Sequence, residues 1–285
     1  MAVPALRVAS RPRDFVRVSG PDAARHLQAM VSNDVEALCP GEACEALLLT
    51  AKARVIAPLV VLRRSADDYL LLTEPGLGER VRATLLRARF ALKCEIEPEE
   101  HTSVVVLGEA EGIPTADYGL PAVEVLDSHL EPTVSQDELE LLRIRAGTPR
   151  FGREIDERVL PAEAGLEERA IDFAKGCYPG QEPIARQHYR GRVNRTLRVL
   201  ELEGSDLPAY DAELTYDGKV VGRITSAARD GDMVVALAYV RVEVPSDATL
   251  DLGGRRVVQA PAPSYRTGAR GAASRLGGRQ EMRLA

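Results

Sequence analysis

The chain has 285 residues, 45% hydrophobic and 28% charged, which gives enough apolar surface for more than one core and excludes compositional disorder. A net charge of -6, aromatics at only 4% and no Trp argue against a polyanion held across the whole surface or bases stacked on an aromatic platform, so direct nucleic-acid binding is not expected. Four cysteines, at 39, 44, 94 and 177, form no CxxC pair, and no apolar run approaches the roughly 20 residues that span a bilayer; a soluble, unexported, cytoplasmic protein without disulfides, zinc or membrane anchor is expected.

Phe15-Val16-Arg17-Val18 reads as a short strand, and Gly20-Pro21-Asp22 then opens a helix on which Ala24, Leu27 and Val31 recur at helical spacing. Apolar runs at 47–50, 55–62 and 69–73 are bounded by polar turns and are predicted as strands. Between 78 and 92, Val81, Leu85, Ala88 and Leu92 line one helical face, while Arg80, Arg82, Arg87 and Arg89 fill much of the rest. A strand at Ser103–Leu107 completes an α+β region. The Gly- and Pro-rich stretch 112–132 reads as a linker. Ser135-Gln136-Asp137-Glu138 then forms a capping box for a helix carrying Leu139, Leu142 and Ala146, which Gly147 and Pro149 end.

Beyond Asn194 the pattern alternates, with strands predicted at 196–202, 213–216, 220–225 and 233–240 and hairpin turns at Asp217-Gly218 and Asp230-Gly231. A small antiparallel barrel follows from that pattern. From Arg266 onward the chain is Gly, Ala and Arg with few large apolar groups, so 266–285 is read as a disordered tail.

The densest chemistry lies in Lys175-Gly176-Cys177-Tyr178-Pro179-Gly180-Gln181-Glu182, where a thiol sits between two glycines beside a cation and a carboxylate. Gly176 and Gly180 permit positive φ, and Pro183 suits the first position of a helix over 183–189, which puts Cys177 just ahead of a helix N-terminus. The helix dipole and the Lys175 ammonium would both favour a thiolate there, with a lowered pKa. The competing reading makes Cys177 a small buried apolar residue.

This motif, with Ile184-Ala185-Arg186 and Arg190-Gly191 after it, resembles the signature of the YgfZ family, whose larger relatives are the aminomethyltransferases of the glycine cleavage system. The resemblance extends through Ser19-Gly20-Pro21-Asp22, Val31-Ser32-Asn33-Asp34-Val35, Arg143-Ile144-Arg145-Ala146-Gly147 and Leu160-Pro161, and so covers nearly the whole chain except the tail. It implies an α+β, three-domain aminomethyltransferase-like ring around a folate-binding hole, with a C-terminal antiparallel β-barrel. The expected units are 1–45 plus 135–193, a folate-binding domain carrying the cysteine motif; 46–134, ferredoxin-like; and 194–265, the barrel.

The resemblance also implies a monomer that binds tetrahydrofolate or a derivative and helps assemble or repair iron–sulfur proteins, with a link to tRNA modification and with client or assembly proteins as partners. Where the transferases carry paired aspartates, this chain reads Val55-Ile56-Ala57-Pro58, and Arg145 stands at the acidic position of their Arg-x-Glu-Ala-Gly segment. Aminomethyl transfer is therefore disfavoured. A one-carbon transferase or demethylase using Glu182 or Glu163, and a thiol switch built on Cys177, are the alternatives.

A folate needs polar contacts for its pterin edge and cations for its glutamate. Lys175, Arg186, Arg190 and Arg145 are the candidate cations, Gly176 allows close backbone approach, and Tyr178, Gln181 and Glu182 are the candidate hydrogen-bonding groups around Cys177; the pairing among them is left open. His188, one helix away, is a candidate proton partner for Cys177, whereas Cys39, Cys44 and Cys94 are read as structural.

Overall fold

The computed structural model describes residues 6–261, so the expected tail at 266–285 lies outside the described residues. In chain order the first elements are β1 (Arg7–Ser10), β2 (Asp14–Ser19), α1 (Ala23–Met30), β3 (Ala43–Leu49), β4 (Val55–Ser65), β5 (Asp68–Thr73), α2 (Gly78–Ala88) and β6 (Glu95–Glu99). Next come β7 (Ser103–Leu107), β8 (Ile113–Thr115), β9 (Ala122–Leu126), α3 (Gln136–Arg145), α4 (Glu167–Ala170) and α5 (Gln181–Arg190). The last are β10 (Arg195–Glu203), β11 (Glu213–Tyr216), β12 (Lys219–Asp230), β13 (Met233–Arg241), β14 (Leu250–Leu252) and β15 (Arg255–Gln259).

Three sheets result. A five-stranded sheet in the order β3-β4-β5-β2-β6 buries Val16, Val18, Ala57, Leu59, Val61 and Leu71 against Leu27 of α1 and Val81 and Leu85 of α2. On β4 the buried positions alternate from Val55 to Val61, the period-2 signature of a strand with one covered face. Ala57, in the stretch where the resemblance expects the transferases' aspartates, is 0% exposed and packs in this core. A second sheet, β1-β7-β9-β8, packs Ala9, Val105 and Leu107 against Leu139 of α3.

Strands β10 to β15 close an antiparallel barrel. Leu200, Leu202, Val234, Ala236 and Ala238 fill it, while the alternate residues Leu197, Val199, Val235, Leu237 and Tyr239 face outward and join a core with Ile144, Tyr178 and Ile184. The outer wall of the barrel is therefore the surface on which the cysteine segment rests. Asp217 and Gly218 take φ of 48° and 72°, the left-handed pair that a tight two-residue hairpin requires.

Strand pairing corrects several expectations. The boundary at 45/46 falls inside β3, and residues 46–134 are divided between two sheets, because β7 pairs with β1 and β9 while β2 pairs with β5 and β6. The stretch 112–132 is not a linker: β8 and β9 within it complete the second sheet. Ser135 caps α3 as predicted, its hydroxyl accepting from the Glu138 N–H. Helix α2 stops at Ala88, short of the expected 92, and Phe90 follows at φ 46°.

Candidate functional site

The segment 171–191 is fastened at several points. Asp172 Oδ1 accepts from the amides of Ala174 (2.6 Å) and Lys175 (3.1 Å), and the Asp172 amide donates to Ser32 O at 3.0 Å. Ser32, fully buried, donates through Oγ to Ala170 O at 2.5 Å and accepts from the Leu47 amide at 2.8 Å. Asn33 donates to Glu45 O at 2.7 Å. The Val31-Ser32-Asn33-Asp34 stretch thus joins the end of α1 to β3 and to the approach of the cysteine loop.

Lys175 is the central tie. Its ammonium, on a side chain buried beneath the loop, donates to the carbonyls of Gln28 (2.8 Å), Val31 (2.6 Å) and Asn33 (2.8 Å), at and just beyond the end of α1. An ammonium there meets unpaired helix carbonyls and the negative end of the helix dipole. Burial pulls it down to about 8, against the opposing pull of Asp34 and Asp172. All three of its donors are engaged by backbone carbonyls.

Two further contacts shape the loop. Tyr178 is buried in the core under the barrel, its ring 5.3 Å from Lys175 Nζ, and burial pushes its phenol up to about 12. Its ring packs in that core. Gly180 has φ 85°, and a Cβ built on it would lie 2.6 Å from Thr50 O, so the loop presses on the β3–β4 turn where only glycine fits. Gly176 has no such requirement: it is absent from the positive-φ positions and nothing lies within 4 Å of a Cβ there.

Cys177 is exposed, while Cys94 is buried and burial pushes the Cys44 thiol up to about 12. The helix behind Cys177 begins at Gln181, two residues before the expected start, with Gly180 as its N-cap. Pro183 therefore sits in the first turn, where helix amides have no intrahelical partner and a missing N–H is tolerated. The side chains of Gln181 and Glu182 hold no partner among the described residues, and Glu182 is exposed.

The four candidate cations have different surroundings. Arg145 is ion-paired with Asp230 of the barrel, and Lys175 is buried under the loop. Arg186 and Arg190 are exposed on α5 without a side-chain partner among the described residues. His188 stacks on Phe173 at 3.9 Å and lies 3.6 Å from Glu167, a carboxylate that burial raises, so its described partners do not include Cys177. Glu163 accepts from the Leu160 amide and pairs with Arg195, which makes it a loop-fastening carboxylate.

Two ionic clusters flank the loop that no sequence signal marked. Arg169 of α4 pairs with Glu45 (2.5 Å) and Asp117 (2.7 Å), and Arg11 pairs with Asp117 at 2.9 Å, linking both sheets to α4. Burial alone would raise Asp117, but Arg169 and Arg11 hold it well below the usual carboxylate range. Arg143 of α3 bonds Glu140 (2.8 Å), Glu154 (3.1 Å), Ser226 (2.9 Å) and Thr148 O (2.5 Å), pinning α3 to the barrel. A surface depression of about 560 Å³ lies elsewhere, beside Arg17, Arg64, Asp68 and Glu99, whose charges pair with one another.

No family model matches the chain. Among its relatives, a tRNA-modifying protein YgfZ from Serratia proteamaculans is 30% identical over 282 residues, spanning 83% of this chain and 83% of that protein. An iron-sulfur cluster assembly factor IBA57 homolog from Neurospora crassa is 26% identical over 313 residues, 84% of this chain and 70% of the relative. Among solved structures, the glycine cleavage system aminomethyltransferase T from Bartonella henselae superposes with a TM-score of 0.78 at 19% identity, covering 90% of this chain and 86% of that one. That likeness establishes the aminomethyltransferase fold.

Proposed function

This chain belongs to the YgfZ family on an aminomethyltransferase fold, and from that premise we propose that it is a tetrahydrofolate-binding accessory protein for the assembly or repair of iron–sulfur proteins in the cytoplasm. Cys177 is the proposed working group. The observation that carries the reading is a contrast within one loop: its neighbours Lys175 and Tyr178 are buried and tied down, while the thiol between them is exposed. A reactive side chain on a pre-organised backbone is the arrangement a functional site needs.

The groups that fit a pterin edge are Gln181, which offers both donor and acceptor, and Glu182, an acceptor; both side chains are without a partner among the described residues and open the helix that follows Cys177. A bound tetrahydrofolate would supply a one-carbon acceptor. Residues of this chain would bind and orient it, and Cys177 would face the client's cluster or sulfur species. The stretch Val55-Ile56-Ala57-Pro58 on β4, where the resemblance expects the transferases' aspartates, holds no carboxylate, which speaks against aminomethyl transfer.

In a strain deleted for the gene, expression of the Cys177→Ala protein tests the role of the thiol. Activity of an iron–sulfur enzyme should stay at the deletion level; full restoration would contradict the reading.

A further inference from the structure

Helix α5 is anchored along one side. Ile184 is buried under the barrel wall, and His188, though exposed, stacks on Phe173. Glu182, Arg186, Tyr189 and Arg190 stand at i, i+4, i+7 and i+8, one continuous stripe, and all four are exposed.

Tyr189 is 70% exposed yet its ring is braced edge-on, with centroids 4.9 Å from His188 and 6.3 Å from Phe173. Such braced contacts restrict the ring, which lowers the ordering cost of covering it, and Tyr and Arg are the residue types that dominate protein–protein hot spots. Arg186 and Arg190 flank it without partners among the described residues. Arg192 just beyond the helix, and Lys52 in the turn that touches Gly180, are also exposed. Against its two arginines the helix itself carries one carboxylate, Glu182, and Glu167 of α4 lies 3.6 Å from His188, in a chain whose net charge is -6.

We infer that the outer face of α5 is a docking surface for an acidic segment of a partner protein, with Tyr189 as its anchor and Arg186 and Arg190 as its charge clamp, delivering that partner beside Cys177. The inference rests on the functional reading above and names the kind of partner its site receives. A nucleic acid is less well suited: a single aromatic stands on this face and Glu182 lies within it. The electrostatics also steer approach, since a local cationic patch raises the encounter rate of an anionic partner and does so less as salt rises.

Charge-steered disulfide exchange tests this in the full-length Cys39→Ser protein, which removes the other exposed thiol. Short peptides of equal length, one Asp/Glu-rich and one Lys-rich, each carry a cysteine activated as a 2-pyridyl disulfide. The Cys177 thiolate attacks the peptide sulfur, the peptide–pyridyl S–S bond breaks, a protein–peptide S–S bond forms, and pyridine-2-thione leaves with the electron pair, read by absorbance. At low ionic strength the acidic peptide should react about tenfold faster than the basic one, a ratio that falls toward one at high salt. The ratio should invert in Arg186→Glu/Arg190→Glu and shrink in Tyr189→Ala.

Equal rates for the two peptides, or a ratio indifferent to the charge reversal, would overturn the inference. So would stronger protection of Cys177 by a short RNA than by an unactivated acidic peptide at equal charge, or protection that appears only as the protein self-associates; these would mean a nucleic acid or a second copy instead. Tetrahydrofolate binding is measured separately on the unaltered protein, so its failure would remove the functional reading while leaving the charge preference of this face to be read on its own.

Discussion

Lys175 Nζ lies 2.6 Å from Val31 O, and through that bond the cysteine loop is fastened to the end of α1 across the whole of the intervening sequence. Sequence reasoning had aimed this ammonium at a ligand; the fold aims it at backbone. Replacing it with Met would leave the Gln28, Val31 and Asn33 carbonyls unpaired, an expected loss of about 3 kcal/mol. Urea unfolding should show a lower midpoint with an unchanged slope for Lys175→Met. A protein of unaltered stability that loses only ligand affinity would restore the ligand-binding role.

Gly180→Ala should be destabilising even though it adds one methyl group. The left-handed φ of 85° and the 2.6 Å approach to Thr50 O both oppose a Cβ, so a loss of about 1–3 kcal/mol is expected. Gly176→Ala, with open space around it, should fall within about 0.5 kcal/mol of the parent. Melting both variants side by side checks the difference.

His101 links the two sheets through both ring nitrogens, Nδ1 to Asp127 at 2.6 Å and Nε2 to Glu99 at 2.7 Å. Burial would lower its pKa, but the bonds to Asp127 and Glu99 raise it overall, since only the imidazolium can donate to two carboxylates. A raised folded pKa means that stabilisation is complete below about 6.5 and fades as pH climbs through the folded value. Glu99, held at about 2 first of all by Arg64, stays ionised across that window. The stability gap between the parent and His101→Gln, on the order of 1 kcal/mol, should therefore be larger at pH 6 than at pH 8; a gap that grows with pH would contradict the assignment.

Arg143→Met should be the most damaging of the single substitutions considered. Its guanidinium is almost wholly buried, and Glu154 beside it has a side chain at 0% exposure, so removing the cation leaves an uncompensated charge worth about 3–5 kcal/mol. Near-parental stability by denaturant titration would mean that Glu154 takes up a proton in the variant without penalty.

Local pattern carried much of the architecture. The strand at Ser103–Leu107, the Ser135 cap of α3 and the Asp217-Gly218 hairpin were legible because each depends on residues a few positions apart. Strands β8 and β9 were hidden by Pro114, Gly119 and Pro121, which read as breakers, while their stability comes from pairing, β9 with β7 and β8 with β9. Pairing across the sequence also carries β3 through positions 45 and 46, which no local pattern marks. At the site, the glycine at 180 was readable as a conformational requirement, but the partners of Lys175 are carbonyls, which every residue possesses and no composition reveals. The ion pair of Arg145 was not legible either, since Asp230 lies on a strand far along the chain.

The central claim, that this chain binds a reduced folate beside Cys177, is tested most directly by titrating tetrahydrofolate against the full-length protein and following the fluorescence of its 8 tyrosines, in the absence of any Trp. A saturable change with one-site stoichiometry, weakened about tenfold or more by Gln181→Ala/Glu182→Ala, is the expected result. A signal that stays linear into the millimolar range, with no saturation, would contradict the account.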